Sequence, residues 1–378
     1  MRIKNLNLYK MKQLGYGIAQ GLLVACFWVF AIGVSAQETE SDDQYYGIAD
    51  FASVKKYDTH VHINKYDTAF VRQAEQDGFH LLTVNVNTPY YPALEVQQEV
   101  ALELKQAFPE QVAYATAFDV TGWGKRGWLK KNLAYLEDSF EKGAIAVKIW
   151  KNIGMSLQDK KGNFVMVDDP SFEPIIEWIE KHQITLLGHL GEPLNAWLPV
   201  EKMTINGDKR YFTAHPEYHM FVHKDYPLYQ DQINARNHLL EKHPNLRFVG
   251  AHLGSLEWDV DELAKCLDTY PNMAVDMAAR ISHLQHQSIA NREKVRNFMI
   301  KYQDRLIYST DQALMPEADP TSTAQNLHQV WLRDWQFFTS DDPMEVSSVN
   351  GKFNGLKLPR QVIDKIYRIN AEKWFPGI

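Results

Sequence analysis

Cysteine is almost missing from this chain of 378 residues, which has two, Cys26 and Cys266. Cys26 falls in an N-terminal leader, so a mature chain keeps only Cys266 and has no partner for an internal disulfide. Cys266 lies in "DVDELAKCLDTYP", a helical pattern, where packing is its expected role. Basic excess is missing too: 40 Lys and Arg face 47 Asp and Glu, a net charge of −7. Such a surface has no surplus to neutralise phosphates, which argues against a nucleic-acid partner. No G-x-G-x-x-G or Walker sequence follows any β-like run, so dinucleotide and P-loop chemistry lack their phosphate cradle. Repeats and low-complexity tracts are absent. At 45% hydrophobic and 23% charged, the composition lies far from the disordered class.

The first 36 residues differ from the rest. Arg2, Lys4, Lys10 and Lys12 stand without an acid before the apolar run "IAQGLLVACFWVFAIGVSA". Small residues at Val34–Ala36 precede Gln37 and the acidic "QETESDD". This order reads as a secretory signal peptide, with a retained membrane anchor as the second reading. "LVAC" at Cys26 resembles a lipobox, but the apolar run continues beyond it. The expectation is a secreted or periplasmic protein with no membrane span after cleavage. The expected layout is a signal at 1–36, a lead at 37–54 and one domain at 55–378.

From there the chain alternates β-like runs with longer helical patterns. The β-like runs are "KKYDTHVHI", "FHLLTVNV", "QVAYATAF", "AIAVKIW", "ITLLGHL", "LRFVGAHL", "MAVDMA" and "LIYSTD". Eight apolar strands separated by helices predict a (β/α)8 TIM barrel with insertions. The longest connection, residues 191–227, is read as a structureless loop insertion, and such loops are usually functional.

In "YDTHVHI", His60 and His62 are two apart, so a strand puts both on one face with Val61 and Ile63 opposite. Two neutral imidazoles side by side make a ready chelate. Lys148 lies on strand four, His189 at the end of strand five, His252 at the end of strand six and Asp311 at the end of strand eight. In a barrel all these positions open on the C-terminal face, where the βα loops build the active site. Glu192 follows His189 by three and suits either a hydrogen bond to a ligand histidine or substrate hydroxyl, or a loop turn. Arg280 suits a carboxylate clamp or an ion pair with Asp276. Trp197 and Trp258 suit stacking walls or ordinary core. The histidines of "HPEYHMFVH" and "HLQHQ" match no zinc spacing and read as loop and surface residues.

The order "THVH…VK…GH…GAH…STD" resembles the amidohydrolase superfamily of metal-dependent TIM-barrel enzymes. It is most similar to the amidohydrolase-related branch that also holds decarboxylases. The closing "KIYRINAEKWF" resembles that branch's last helix, with an Asn-Ala pair before an aromatic. The resemblance implies that His60, His62, His189 and Asp311 ligate a divalent metal, with Zn2+ first and Mn2+ or Fe2+ as alternatives. It implies that Asp311 carries the proton of an activated water. His252 is then either a second metal ligand or a group that polarises the substrate oxygen. Lys148 is either carbamylated and bridging two metals, or a plain cation facing an anionic substrate group. The leading expectation is an exported hydrolase of a small molecule, cleaving an amide, ester or lactone. A non-oxidative decarboxylase on the same metal site is the alternative, and self-association is compatible with either.

Overall fold

The computed structural model describes residues 44–378; the expected signal segment, Cys26 and the start of the lead lie outside them. Nine parallel strands form one sheet in the order β8-β7-β6-β5-β4-β3-β2-β1-β9. They are β1 Lys56–Ile63, β2 Phe79–Val84, β3 Val112–Ala117, β4 Ala146–Ile149, β5 Thr185–Gly188, β6 Arg247–Gly250, β7 Met273–Asp276, β8 Leu306–Ile307 and β9 Gln312–Leu314. Helices follow the strands in turn, as the TIM barrel expected from the sequence requires.

The eighth strand differs from the reading of "LIYSTD" as one run. Its first piece, β8, pairs with β7, and its second piece, β9, pairs with β1. Between them Asp311 takes φ 66°, a left-handed conformation that interrupts a ladder. The barrel closes across this break. Thr59 N donates to Tyr308 O at 3.4 Å and Asp311 N donates to His60 O at 2.8 Å.

Strand β1 carries its own irregularity. Its register with β2 shifts between Asp58 and Val61, as at a β-bulge. The shift changes which face successive residues occupy. Tyr57 belongs to the inner cluster, whereas Val61 and Ile63 pack outward among the barrel-to-helix core. His60 and His62 then share the inward face, as alternation predicted. Asp58 is left fully buried and accepts four hydrogen bonds. These come from His60 N at 3.3 Å, Thr310 N at 3.0 Å, Thr310 Oγ1 at 2.6 Å and Trp331 Nε1 at 2.9 Å. Burial pushes its pKa up to about 7 against the pull of these donors.

Inside the barrel the side chains are small. Ala113, Ala115, Ala146 and Ala274 sit with Leu82, Leu187 and Val249, and Trp374 and Phe375 of the closing helical segment join them. Asn370 fixes that segment, donating to Gln303 O at 2.6 Å and Leu306 O at 2.8 Å. The packed base leaves the opposite end for chemistry. Cys266 is buried in the helix Val260–Thr269, in line with a packing role.

Residues 191–227 are not structureless. They hold short 3-10 turns and the helix Asn206–Ala214. A small core of Met155, Ala196, Met203, Phe212 and Met220 orders them. Two histidines read as loop or surface residues are buried here or nearby: His219 bonds Leu198 O at 2.8 Å, and His283 lies 3.2 Å from Asp208. Among the described residues, no helix is long and apolar enough to cross a membrane.

Asp58→Ala would leave four buried donors without an acceptor. It should lower unfolding stability by at least about 3 kcal/mol in urea titration, with Asp58→Asn intermediate because one oxygen remains. An alanine variant as stable as the parent would show that the clamp is dispensable.

Candidate active site

Each imidazole of β1 is oriented from behind. His60 Nδ1 lies 2.8 Å from Asp276 Oδ2, and His62 Nδ1 lies 2.7 Å from Val84 O. A ring nitrogen that close to a carboxylate or carbonyl carries the hydrogen. In the neutral rings both Nε2 atoms therefore carry lone pairs. Both face Asp311 Oδ1, at 3.5 Å from His60 and 3.1 Å from His62. His60, His62 and Asp311 form a group able to hold a metal ion, with ligand atoms within 4.8 Å of one another. Burial lowers the His60 pKa, and Lys148 lowers it further, which keeps the lone pair available. Burial alone would raise the Asp311 carboxyl, but the imidazoles of His252, His62 and His60 around it hold it well below the usual carboxylate range.

The donor set thus fits a divalent cation. Three acceptor atoms, two imidazole nitrogens and a carboxylate oxygen, converge with their lone pairs opposed, and a cation between them removes the conflict. His189 adds a fourth donor of a different kind. It follows β5, its Nε2 is buried with no hydrogen-bond partner, and it lines the same pocket, although it stands outside the group of three.

That pocket has a cavity volume of about 260 Å³. Lys148 lines it, buried, with Nζ 3.2 Å from His60 Nε2. Burial brings its pKa down to about 8, while Asp276 and Asp311 hold it up. The structure places several other candidates elsewhere. Trp197 and Trp258 do not line the pocket. Trp197 packs against Tyr229 and donates to Pro227 O at 3.2 Å, and Trp258 donates to Tyr229 Oη at 2.9 Å. Glu192 is buried behind the pocket wall in an ion pair with Lys151. Arg280 is also outside the lining and has no carboxylate within 4.0 Å among the described residues, Asp276 included; its Nε is buried and unpartnered.

His252 is corrected in part. It sits in a left-handed turn, where His252, Leu253, Gly254 and Ser255 all have φ between 56° and 60°. Its backbone N donates to Asp276 Oδ1 at 2.7 Å, and its Nδ1 lies 2.8 Å from Ala278 O. The Nδ1 hydrogen is therefore committed, and burial lowers the pKa to about 3. A neutral ring so held offers Nε2 as an acceptor. It suits a ligand or base and cannot donate to a substrate oxyanion.

Sequence reasoning missed several residues. Asp276 grips both His60 and the His252 turn, and a lone Asp on a strand gives no hint of that. Lys151, just beyond β4, lies 3.9 Å over the Tyr218 ring, and its partner Glu192 is remote in sequence. Tyr90, Tyr91, Trp150, Tyr211, His215 and Tyr218 supply the walls that Trp197 and Trp258 were expected to supply. Burial raises the Tyr91 pKa, and Asp311 raises it further.

No curated protein sequence matches the chain. An uncharacterised TIM-barrel protein from Bordetella bronchiseptica superposes with a TM-score of 0.50 at 13% identity, covering 86% of this chain and 99% of that one. A 2,6-dihydroxybenzoate decarboxylase from Rhizobium gives 0.45 at 15%, covering 84% and 98%. A probable 2-pyrone-4,6-dicarboxylic acid hydrolase from Acinetobacter baumannii gives 0.42 at 12%, covering 85% and 99%. The family model described as "Amidohydrolase" matches residues 57–377, nearly all of the barrel built above, and the chain belongs to that amidohydrolase family.

Proposed function

We propose that this chain is a metal-dependent hydrolase that cleaves an amide, ester or lactone bond in a small anionic molecule. The leader at residues 1–36 supports action outside the cytoplasm. The observation that carries the reading is the convergence of His60, His62 and Asp311 on one point of a lined pocket. These three residues would hold the ion, with His189 as the fourth ligand, and nitrogen and oxygen donors of this kind suit Zn2+ before Mn2+ or Fe2+. When bound, the ion supplies Lewis acidity and brings the pKa of water to about 7.

The chain's own groups do the rest. Asp311 Oδ1 faces the histidines, while Oδ2 has no hydrogen-bond partner among the described residues. A carboxylate held in its ionised form can take the proton of an attacking water on that free oxygen and pass it to the leaving group. Lys148 lines the pocket with no carboxylate within 4.0 Å among the described residues and favours an anionic substrate, whereas Lys151 beside it is paired with Glu192. Trp150, Tyr91 and Tyr218 offer ring faces beside them. This pairing of lysines with rings favours a second reading, decarboxylation of a carboxylated ring at the same site.

Two measurements test the proposal. Elemental analysis should find about one divalent ion per chain, lost in His60→Ala/His62→Ala while the circular dichroism stays that of the parent. Full metal content in the double variant would remove this site. For turnover, Asp311→Asn should cost at least about 10²-fold in rate on any ester, amide or lactone that the parent hydrolyses. Release of CO2 from carboxylated rings, with no hydrolysis of that panel, would replace the first reading by the second.

A further inference from the structure

The hydrolytic reading of the site places negative charge on the substrate carbonyl oxygen as water adds, and a fixed hydrogen-bond donor beside that oxygen lowers the barrier. His252 cannot be that donor, since its one hydrogen is committed to Ala278 O. The Lys148 ammonium, 3.2 Å from His60 Nε2, keeps hydrogens to spare and answers the anionic group of the substrate in the reading above, which leaves a place for a neutral donor. Of the other phenols on the wall, Tyr90 donates to Glu217 at 3.0 Å; Tyr211 accepts from Lys151 at 3.4 Å and keeps its own hydrogen, but its ring packs on Phe212 and His215, and that of Tyr218 on Trp150, away from the candidate ligands.

Tyr91 is different. It lines the pocket, and its ring packs on His62 with centroids 5.1 Å apart. Among the described residues its hydroxyl has no hydrogen-bond partner. A phenol in that position is a neutral donor set next to the candidate metal ligands. Its backbone is also fixed in advance. Pro89 and Pro92 bracket "YY", and each proline restricts its own φ and the residue before it. Gln97, buried, staples the segment at both ends. It donates to Val86 O at 3.0 Å and Pro92 O at 2.6 Å, and accepts from Val86 N at 2.9 Å. This much support for one surface loop suits a side chain that must hold its position.

We propose that Tyr91 is a further catalytic residue, whose hydroxyl donates a hydrogen bond to the substrate oxygen that gains negative charge beside His60, His62 and Asp311. No proton is transferred in this step; the phenol keeps its hydrogen throughout. The proposal rests on the metal-dependent reading given above.

The test needs no substrate. The metal-free protein is loaded with Co2+, and acetate is titrated in while the visible absorption of the cobalt site is followed. Tyr91→Phe keeps the ring against His62, so Co2+ uptake should match the parent. Acetate affinity should fall about tenfold or more, as for a lost hydrogen bond to a charged group. Tyr66→Phe, a change at an exposed tyrosine outside the pocket, should leave that affinity as it is. Equal acetate affinity in Tyr91→Phe and the parent, with cobalt bound in both, would overturn the role of Tyr91 alone. A parent that takes up no Co2+ would overturn the metal reading and the Tyr91 proposal with it.

Discussion

A single buried carboxylate, Asp58, ties the two irregular strands of the barrel together. Its acceptors hold Thr310 and Trp331 on one side and the His60 backbone on the other. The break in strand eight would otherwise leave backbone groups unpaired in the interior, at the cost of a lost hydrogen bond for each. With the clamp in place, Asp311 can adopt its left-handed conformation and swing its carboxylate toward β1. The β1 irregularity serves the same end. It lets Tyr57 belong to the packed inner layer and still leaves His60 and His62 facing inward higher up.

Asp276 repeats the device on the opposite wall. One oxygen orients the His60 ring, and the other accepts from His252 N at 2.7 Å and Ala278 N at 3.1 Å. Burial would raise this carboxyl, but His60, its hydrogen bond and the nearby His252 and Lys148 hold it below the ordinary range. It therefore stays a charged acceptor that keeps His60 in one tautomer. The turn it holds is costly in itself, since three residues other than glycine sit there at positive φ. Arg236 on Gly254 O and the Tyr229 hydroxyl on Ser255 O hold the same turn from the helix side. Strain of that kind persists only where the surroundings determine it this fully.

What could be read in advance followed from periodicity. Alternation placed His60 and His62 on one face, and the spacing of the β-like runs put Lys148, His189, His252 and Asp311 at strand ends. Residues whose role depends on a distant partner were not readable. From the sequence Glu192 suits a hydrogen bond to a ligand histidine or substrate hydroxyl, or a loop turn, because its partner Lys151 is 41 positions away and gives no local signal. The order of residues 191–227 was hidden because it depends on a core shared with Met155. Trp197 and Trp258 stand next to strand ends in sequence, but both reach Tyr229 instead of the pocket. Proximity along the chain gives the neighbourhood of a side chain and leaves its direction open. His252 shows this most sharply, because its tautomer is decided by a carbonyl, Ala278 O, that only the turn brings near.

The site therefore divides by the kind of element that carries it. Its floor comes from strands and strand ends, where buried carboxylates and backbone carbonyls leave each imidazole one orientation. Its walls come from loops: Tyr90 and Tyr91 after β2, Trp150 and Lys151 after β4, and Tyr211, His215 and Tyr218 from the β5 insertion. One wall joins another through the Tyr90–Glu217 hydrogen bond, in a part of the chain where most residues are partly exposed. A rigid floor fixes which reaction can occur, because proton and metal chemistry tolerate little displacement. Walls made of separate loops can change in shape and charge without disturbing that floor. In this chain the loops bring Lys151 and a ring-lined enclosure to the group of His60, His62 and Asp311, while Lys148 comes from strand β4, so floor and wall each place one lysine at the pocket.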